Sequence, residues 1–438
     1  MRIAIVNSRQ DPGGVNIRQH LLSLLDGPED WPLTEQHDLT FLEVDERLIY
    51  QDRIDAGLDA DLILFISRHS SRHPVPALTV HVTGNYAAAA LGGEERMLAP
   101  AAPEWMHALL HRCARSAPEG YRVSYEVTHH GPTDLATPSL FVEIGSTEKE
   151  WTDPAAGRAV ATSILTAQPA STINLIGFGG THYAVRQTAI ALGSRAAFGH
   201  IASSNRQVPT LDLAMVRAMA EKSRAVAAYV DRKALSREEE RLVDDLLGRA
   251  GILTLTESEL LDIGDVDWNT YLQIRTLAGE VAPGSRVKIR NLQGAGIPVT
   301  VSINHELLEE VVKSDKTALM SKIDQMPVAT LSNGRQEVLP TFITYESEEF
   351  RLANDLTTLC VKLLLISGNT VATGDHLLIR KTRFDPEKAH RLGVPPGPLF
   401  GKLAGGREIE IEGRRITPDM VWAHSVKEIH LPGLERYT

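Results

Sequence analysis

Residues 65–85 read FISRHSSRHPVPALTVHVTGN, and they set two apolar runs around a polar break. Leu62 to Ile66 has the length of a buried strand. It then gives way to Ser67, Arg68, His69, Ser70 and Ser71 ahead of Pro74 and Pro76. A second run, Leu78 to Val82, carries His81 and ends in Thr83, Gly84 and Asn85. Two strand ends therefore bring Arg, His, Ser and Asn side chains toward what can be one place. Turn-forming loops of the ordinary kind use the same residue types, so the stretch alone does not separate a site from a pair of loops.

Working outward, the first half of the chain alternates strands and helices. Residues 2–7, 39–44, 62–66, 121–127, 139–144, 173–178, 197–201 and 226–230 read as strands, and 16–25, 103–115, 155–167, 211–222 and 237–250 as helices. Gly13 and Gly14 read as the turn before the first helix. Glycines there can also approach a phosphate, but the full glycine fingerprint is missing. Asp153 and Pro154 form a sound helix start. The fold class expected is α/β, a largely parallel sheet flanked by helices. The polar blocks fall mostly at strand carboxyl ends, where open α/β sheets place their ligands. The texture changes after Glu257, so two domains are expected, 1–275 and a smaller α+β domain at 276–438.

Composition narrows the class. No run approaches the ~20 apolar residues that span a bilayer, and MRIAIVN starts as a strand rather than a signal peptide, so a cytoplasmic protein without a membrane partner is expected. Cys113 and Cys360 have no metal-ligand spacing. The net charge is -11, and it is unevenly spread: residues 276–438 hold 20 Lys and Arg against 20 Asp and Glu, which leaves 25 against 36 in residues 1–275. An acidic surface weakens a nucleic-acid reading without excluding a local basic track.

The blocks SRHSS (67–71) and PALTVHVTGN (76–85) are followed by EVTHHGPTD (126–134), PSLFVEIGSTEKEW (138–151), GFGGTHYAVRQT (177–188), AFGHI (197–201) and AAYVD (227–231). In that order they resemble the archaeal and plant type of D-aminoacyl-tRNA deacylase, up to about residue 255. The resemblance implies a hydrolase that cleaves the ester of D-aminoacyl-tRNA in chiral proofreading, and it implies zinc dependence with ligands that no spacing marks. LGVPPGPLFGKLAGG (392–406) resembles a late segment of tRNase Z, but the HxHxDH motif of those enzymes is absent, so no activity carries over. The runner-up reading is an RNA-binding or RNA-processing accessory protein without hydrolytic activity.

Ester hydrolysis needs an activated water, donors for the developing oxyanion and a pocket that fixes the hand of the α-carbon. His69, His81, His129, His130, Glu126 and Glu143 are the candidate catalytic groups, and His129, His130, His182 and His200 the candidate metal ligands, since neutral imidazole serves as base or as ligand. Gly84, Asn85, Gly179, Gly180 and Thr181 are candidates for substrate contact, the glycine-flanked loops through their backbone amides. Ser67, Ser70 and Ser71 are read as substrate contacts. A serine nucleophile is the lesser alternative, because no GxSxG elbow is present. Arg68, Arg72 and Arg186 are read as phosphate or carboxylate contacts for the terminal adenosine of the tRNA. The protein is expected to be a monomer.

Overall fold

The computed structural model describes residues 1–71, 74–289 and 291–438, so Arg72 lies outside the described residues. The chain divides into two compact units, Met1–Leu261 and Asp262–Thr438.

The first unit is α/β, built on two sheets. Strands β1 (Arg2–Ser8), β2 (Asp38–Val44), β3 (Leu62–Ser70), β4 (Ala77–His81), β5 (Arg122–Tyr125) and β6 (Ser139–Ser146) form a six-stranded sheet in the order β2-β1-β3-β6-β4-β5. Every neighbouring pair is parallel except β4 with β6. A second, wholly parallel sheet has the order β10-β9-β7-β8, from β7 (Ile173–Phe178), β8 (Ala196–Ala202), β9 (Ala227–Val230) and β10 (Thr254–Leu255). β3 does not stop at Ile66 as its apolar run suggests. It continues through the polar residues to Ser70 because it pairs with β6 up to Ser70 opposite Ser146.

Sequence and local chemistry agree at the helix starts. Asp11 caps Pro12–Leu25 by accepting from Gly14 N, and Asp153 caps Pro154–Leu165 by accepting from Ala155 N. Ser236 and Glu239 form a capping box for Arg237–Ala250, which ends at Gly251 with φ 71°. Gly13 and Gly14 are not the turn before the first helix but its first residues. Their reason is closeness: a Cβ on Gly14 would come 2.5 Å from the Ile66 carbonyl, and one on Gly13 would come 3.0 Å from Arg68 Cα. The helix therefore starts directly against the functional end of β3.

The second unit is α+β, with four antiparallel strands (Arg286–Ile289, Ala329–Ser332, Val338–Tyr345, Pro298–Ser302 in sheet order) and a three-stranded sheet built around His376–Phe384 and Trp422–His430. Leu307, Val311, Leu352, Leu356, Val361, Leu377 and Ile429 share its core. The 392–406 segment contributes Val394 and Leu403 to a separate small cluster with Ile409, Ile416 and Val421.

At the margin of the larger core, Glu310 is 5% exposed and meets Lys381 at 2.7 Å and Lys427 at 3.2 Å. Burial alone would raise its carboxyl pKa, but the two ammonium groups overcome this and hold it below the usual carboxylate range. Such a group stabilises the fold above its unfolded pKa, and the contribution disappears as pH falls through the lower folded value. Glu310→Gln should therefore destabilise the full chain at pH 7 in denaturant titration, with the deficit shrinking as pH is lowered below the carboxylate range. A deficit independent of pH would contradict the ion-pair reading.

Candidate active site

The strand registers decide where the polar side chains meet. In β3, β6 and β4 one cross-strand row is Phe65, Phe141 and His81, the next Ser67, Glu143 and Thr79, and the next His69, Gly145 and Ala77. Alternation puts these rows on one face of the sheet. The site thus lies on a sheet face. Because β4 runs antiparallel to β6, strand carboxyl ends cannot all converge at one edge, and the expectation of a site outside those ends is corrected. Gly145 makes room for His69, since a Cβ there would sit 2.7 Å from His69 Cδ2.

Two loops complete the arrangement. After β5 the chain delivers Glu126, His129 and His130, and after β7 it delivers His182 and Tyr183; the two are joined where Val127 N donates to His182 O. Glu126 is 2% exposed and Glu143 3%. The two Glu126 oxygens have His69 Nδ1 at 3.0 Å and His182 Nε2 at 2.8 Å, with His129 Nε2 at 3.5 Å. These contacts are short but poorly aligned, and neither oxygen has a hydrogen-bond partner of good geometry among the described residues. Glu143 Oε2 lies 3.6 Å from His69 Nδ1 and 3.5 Å from His81 Nε2.

Three imidazoles have their orientation set by the backbone. His81 Nδ1 lies 3.2 Å from Val82 O, His129 Nδ1 2.8 Å from Val127 O, and His130 Nδ1 2.6 Å from Gly131 O. Each contact requires the proton on Nδ1 and leaves Nε2 to face the cluster; at His81 burial would lower the imidazole pKa, but the Glu143 carboxylate facing Nε2 raises it. One ligand atom from each of the three lies within 4.8 Å of the others, and His81 Nε2, 3.5 Å from Glu143 Oε2, has no well-aligned hydrogen bond among the described residues. A second convergent group is His69, Glu126 and His182.

The charges follow from this packing. Burial would push the His69 imidazole down, but Glu126 and Glu143 overturn that and raise it to about 11. Burial would raise the Glu143 carboxyl, yet His69 and His81 bring it to about 2, and Glu126 is likewise held well below its usual value. His129 and His130 are lowered by burial and by neighbouring imidazoles, His130 to about 4, so both are neutral at neutral pH.

A cavity of about 400 Å³ opens on this cluster, lined by His69, His129, His130, His182, Glu143, Ser67, Arg68 and Ser70, together with Asp11, Arg47, Leu91 and Trp151. Glu126 and His81 stand behind it. Ser67 donates its hydroxyl to Asp11 Oδ2 at 2.8 Å, which disfavours it as a nucleophile.

Other candidates are placed differently. His200 is fully buried, with Nδ1 3.1 Å from Thr128 Oγ1 and Nε2 3.0 Å from Ala99 O, so both nitrogens are taken and it braces β8 instead of joining the metal-ligand candidates. The amides expected to face an oxyanion are already bonded: Gly84 N to His130 O, Asn85 N to Met97 O, Gly179 N to Ala202 O and Gly180 N to Ser204 Oγ. Asn85 Nδ2 ties down the 92–94 loop, and Thr181 O closes a turn with Ala184 N. Arg186 pairs with Glu257 and does not line the cavity. Ser71 has a partner of its own.

Sequence reasoning missed Asp11, Arg47, Trp151 and Tyr183. Tyr183 places its hydroxyl 3.1 Å from His69 Nε2, and Trp151 Nε1 donates to His69 O at 2.8 Å. Trp151 and Tyr183 lie inside the quoted blocks, whereas Arg47 sits in a loop with no pattern around it.

Imidazoles and carboxylates buried together and opening into a cavity on an α/β scaffold are the equipment of an enzyme that moves protons or holds a cation at the reacting atom. Comparison with known proteins gives the family. The profile described as D-aminoacyl-tRNA deacylase matches residues 56–255. The D-aminoacyl-tRNA deacylase of Methanoculleus marisnigri is 62% identical over 437 residues, covering 100% of both chains. That of Methanoregula boonei is 50% identical over 438 residues, again covering 100% of both. The chain belongs to the D-aminoacyl-tRNA deacylase family. The relative from Methanosarcina mazei is 39% identical over 278 residues, which cover 93% of that protein but 59% of this one. The crystal structure of a conserved protein of unknown function shares the fold, with TM-score 0.54 and 32% identity over 59% of this chain and 96% of that one.

The buried charges make one test direct. Glu126→Gln keeps the shape but removes the charge that holds the His69 proton, so in metal-free protein the His69 pKa should fall from about 11 toward the ordinary histidine range. Imidazole nitrogen NMR across a pH titration reads this, and an unmoved His69 would contradict the assignment.

Proposed function

We propose that this enzyme hydrolyses the ester of D-aminoacyl-tRNA by an activated water, releasing free tRNA and the D-amino acid. The reading rests on family membership, and the observation that carries it to chemistry is the convergence of backbone-oriented imidazoles beside a buried carboxylate in one cavity.

The donor set suits a divalent cation of the borderline type. His129 and His130 are neutral, with Nδ1 held by the backbone and Nε2 left to ligate, while His81 Nε2 faces Glu143 Oε2 at 3.5 Å and would join them on giving up the proton that Glu143 favours there against burial. Three imidazoles are a ligand set that zinc accepts, as do other borderline divalent ions. Bound there, such an ion would supply acidification of water and polarisation of the ester carbonyl. Glu143, anionic and in the cavity wall, would orient that water by accepting a hydrogen bond from it. His69, charged and backed by Glu126, brings positive charge to the side where oxyanion charge develops. His182, half exposed at the cavity with Nε2 2.8 Å from a Glu126 oxygen, would be the donor to the leaving ribose oxygen.

The second unit reads as an accessory. The Methanosarcina mazei relative is matched over 93% of its length by a share of this chain close to that of the first unit alone. In the basic stretch 380–415, Lys381, Arg391 and Arg415 are occupied by Glu310, Glu387 and Glu408, while Arg380, Arg383, Lys402, Arg407 and Arg414 are exposed and have no ion-pair partner among the described residues. These five are available for RNA phosphates.

D-tyrosyl-tRNA and L-tyrosyl-tRNA, labelled in the amino acid and incubated side by side with the purified chain, test the reading. The D ester should be cleaved much faster, and a strong chelator should suppress the rate with recovery on added zinc. Equal rates would overturn chiral proofreading, and full activity through exhaustive chelation would overturn the metal.

A further inference from the structure

The cavity has a chemical asymmetry that ester hydrolysis does not require. Imidazoles and Glu143 line it. Its wall also carries two arginines, Arg47 and Arg68, and no lysine. Each lies over an aromatic ring: the Arg68 guanidinium carbon is 4.9 Å from the centroid of Trp151, and that of Arg47 is 5.8 Å from the centroid of Tyr50. Stacking fixes a guanidinium plane while leaving its edge donors free. Among the described residues, neither arginine has a carboxylate oxygen within 4.0 Å. Asp11 is the nearby acid, but its oxygens accept from Gly14 N, Ser67 Oγ and the backbone N–H of Arg68. Elsewhere in the same unit some arginines, such as Arg53 and Arg186, are paired with an acid and others are not, so what sets Arg47 and Arg68 apart is that they are unpaired in the cavity wall.

We propose that Arg47 and Arg68 form an anion clamp for the phosphodiester on the 5′ side of the aminoacylated terminal nucleoside, and that this clamp sets the register of the ester against the imidazole cluster. The inference rests on the deacylase reading. An aminoacyl nucleoside is of the size that a cavity of about 400 Å³ encloses, so the first phosphodiester of the polynucleotide falls at its rim. The free amino group of the substrate is cationic, which leaves that phosphate as the anion that every such substrate presents. Guanidinium edge donors match phosphate oxygens in pairs. The ring beneath Arg68 is not a free rotor, because Trp151 Nε1 is bonded to the carbonyl of His69. The backbone that carries a site imidazole therefore also carries the platform of the clamp, and the distance between anchored phosphate and reacting carbonyl is built into β3. Fixing that distance is how binding away from the reacting atom contributes to rate.

The test uses two non-hydrolysable analogues with the full chain: 3′-deoxy-3′-(D-tyrosylamino)adenosine, and the same compound bearing a 5′-phosphate methyl ester. Calorimetry gives Kd for each with the wild type and with Arg47→Ala, Arg68→Ala, Arg47→Lys and Arg68→Lys. The clamp predicts that the phosphodiester tightens wild-type binding at least about tenfold, that each alanine variant brings the ratio of the two Kd values to within about threefold of one, and that the lysine variants fall between, since charge is retained without the bidentate fork. A wild-type ratio near one overturns the clamp alone and leaves the deacylase reading standing. So does a ratio that survives both alanine variants, or variants that weaken both analogues equally, which is the mark of a structural role. If neither analogue binds and D-tyrosyl-tRNA is not cleaved, the clamp falls together with the reading beneath it.

Discussion

Two carboxylates buried in an apolar sheet are the constraint around which the first unit is arranged. Glu126 and Glu143 are almost wholly removed from water, and an unpaired buried carboxylate costs far more than a domain can offset. The chain answers with imidazoles rather than with arginine or lysine. His69 is protonated between both acids, while His129 and His130 stay neutral next to it. A cluster in which some rings hold protons and others hold lone pairs, within a few ångströms, can both accept and deliver protons at one pH. Lysine or arginine would neutralise the acids equally well but would remain permanent donors.

The backbone has been shaped to that cluster. The antiparallel pairing of β4 with β6 brings His81 to the same face as His69, on the other side of the Glu143 row. Glycine supplies the closeness: Gly145 admits the His69 ring, and Gly14 lets a helix start against the Ile66 carbonyl just before the functional end of β3. The second, parallel sheet then presents Gly179 to Tyr183 toward the loop that follows β5, where Val127 N and His182 O lock the two together. Stability and site geometry are set by the same contacts here.

Much of this was legible in the sequence, and the failures have physical causes. Helix starts at Asp153 and Ser236 follow from local capping, and local rules carry over unchanged into the fold. The polar blocks pointed to His69, His81, Glu126, His129, His130, Glu143 and His182, which do assemble in space. Their placement at strand ends misled, because strand direction is a tertiary property and one antiparallel strand moves the meeting point from an edge to a face. His200 sits in a block as regular as the others, yet both of its nitrogens are consumed by Thr128 and Ala99, and partners 72 and 101 residues away have no signal in the chain. The backbone amides of Gly84 and Gly179 were unreadable for the same reason. Arg47 lies outside every motif and is recruited only because its loop lines the same cavity.

On the function proposed above, His81, His129 and His130, which bring one ring nitrogen each within 4.8 Å of the others, would hold a divalent ion beside Glu143. Anomalous diffraction at the zinc absorption edge, from crystals of the full chain loaded with one equivalent of zinc, tests this most directly. The account predicts a single ordered ion about 2.0 to 2.1 Å from those three nitrogens, the distance expected for zinc on imidazole, and its loss in His130→Ala. An ion seated on other side chains, or no ordered ion in crystals of a chain that still cleaves D-tyrosyl-tRNA, would contradict it.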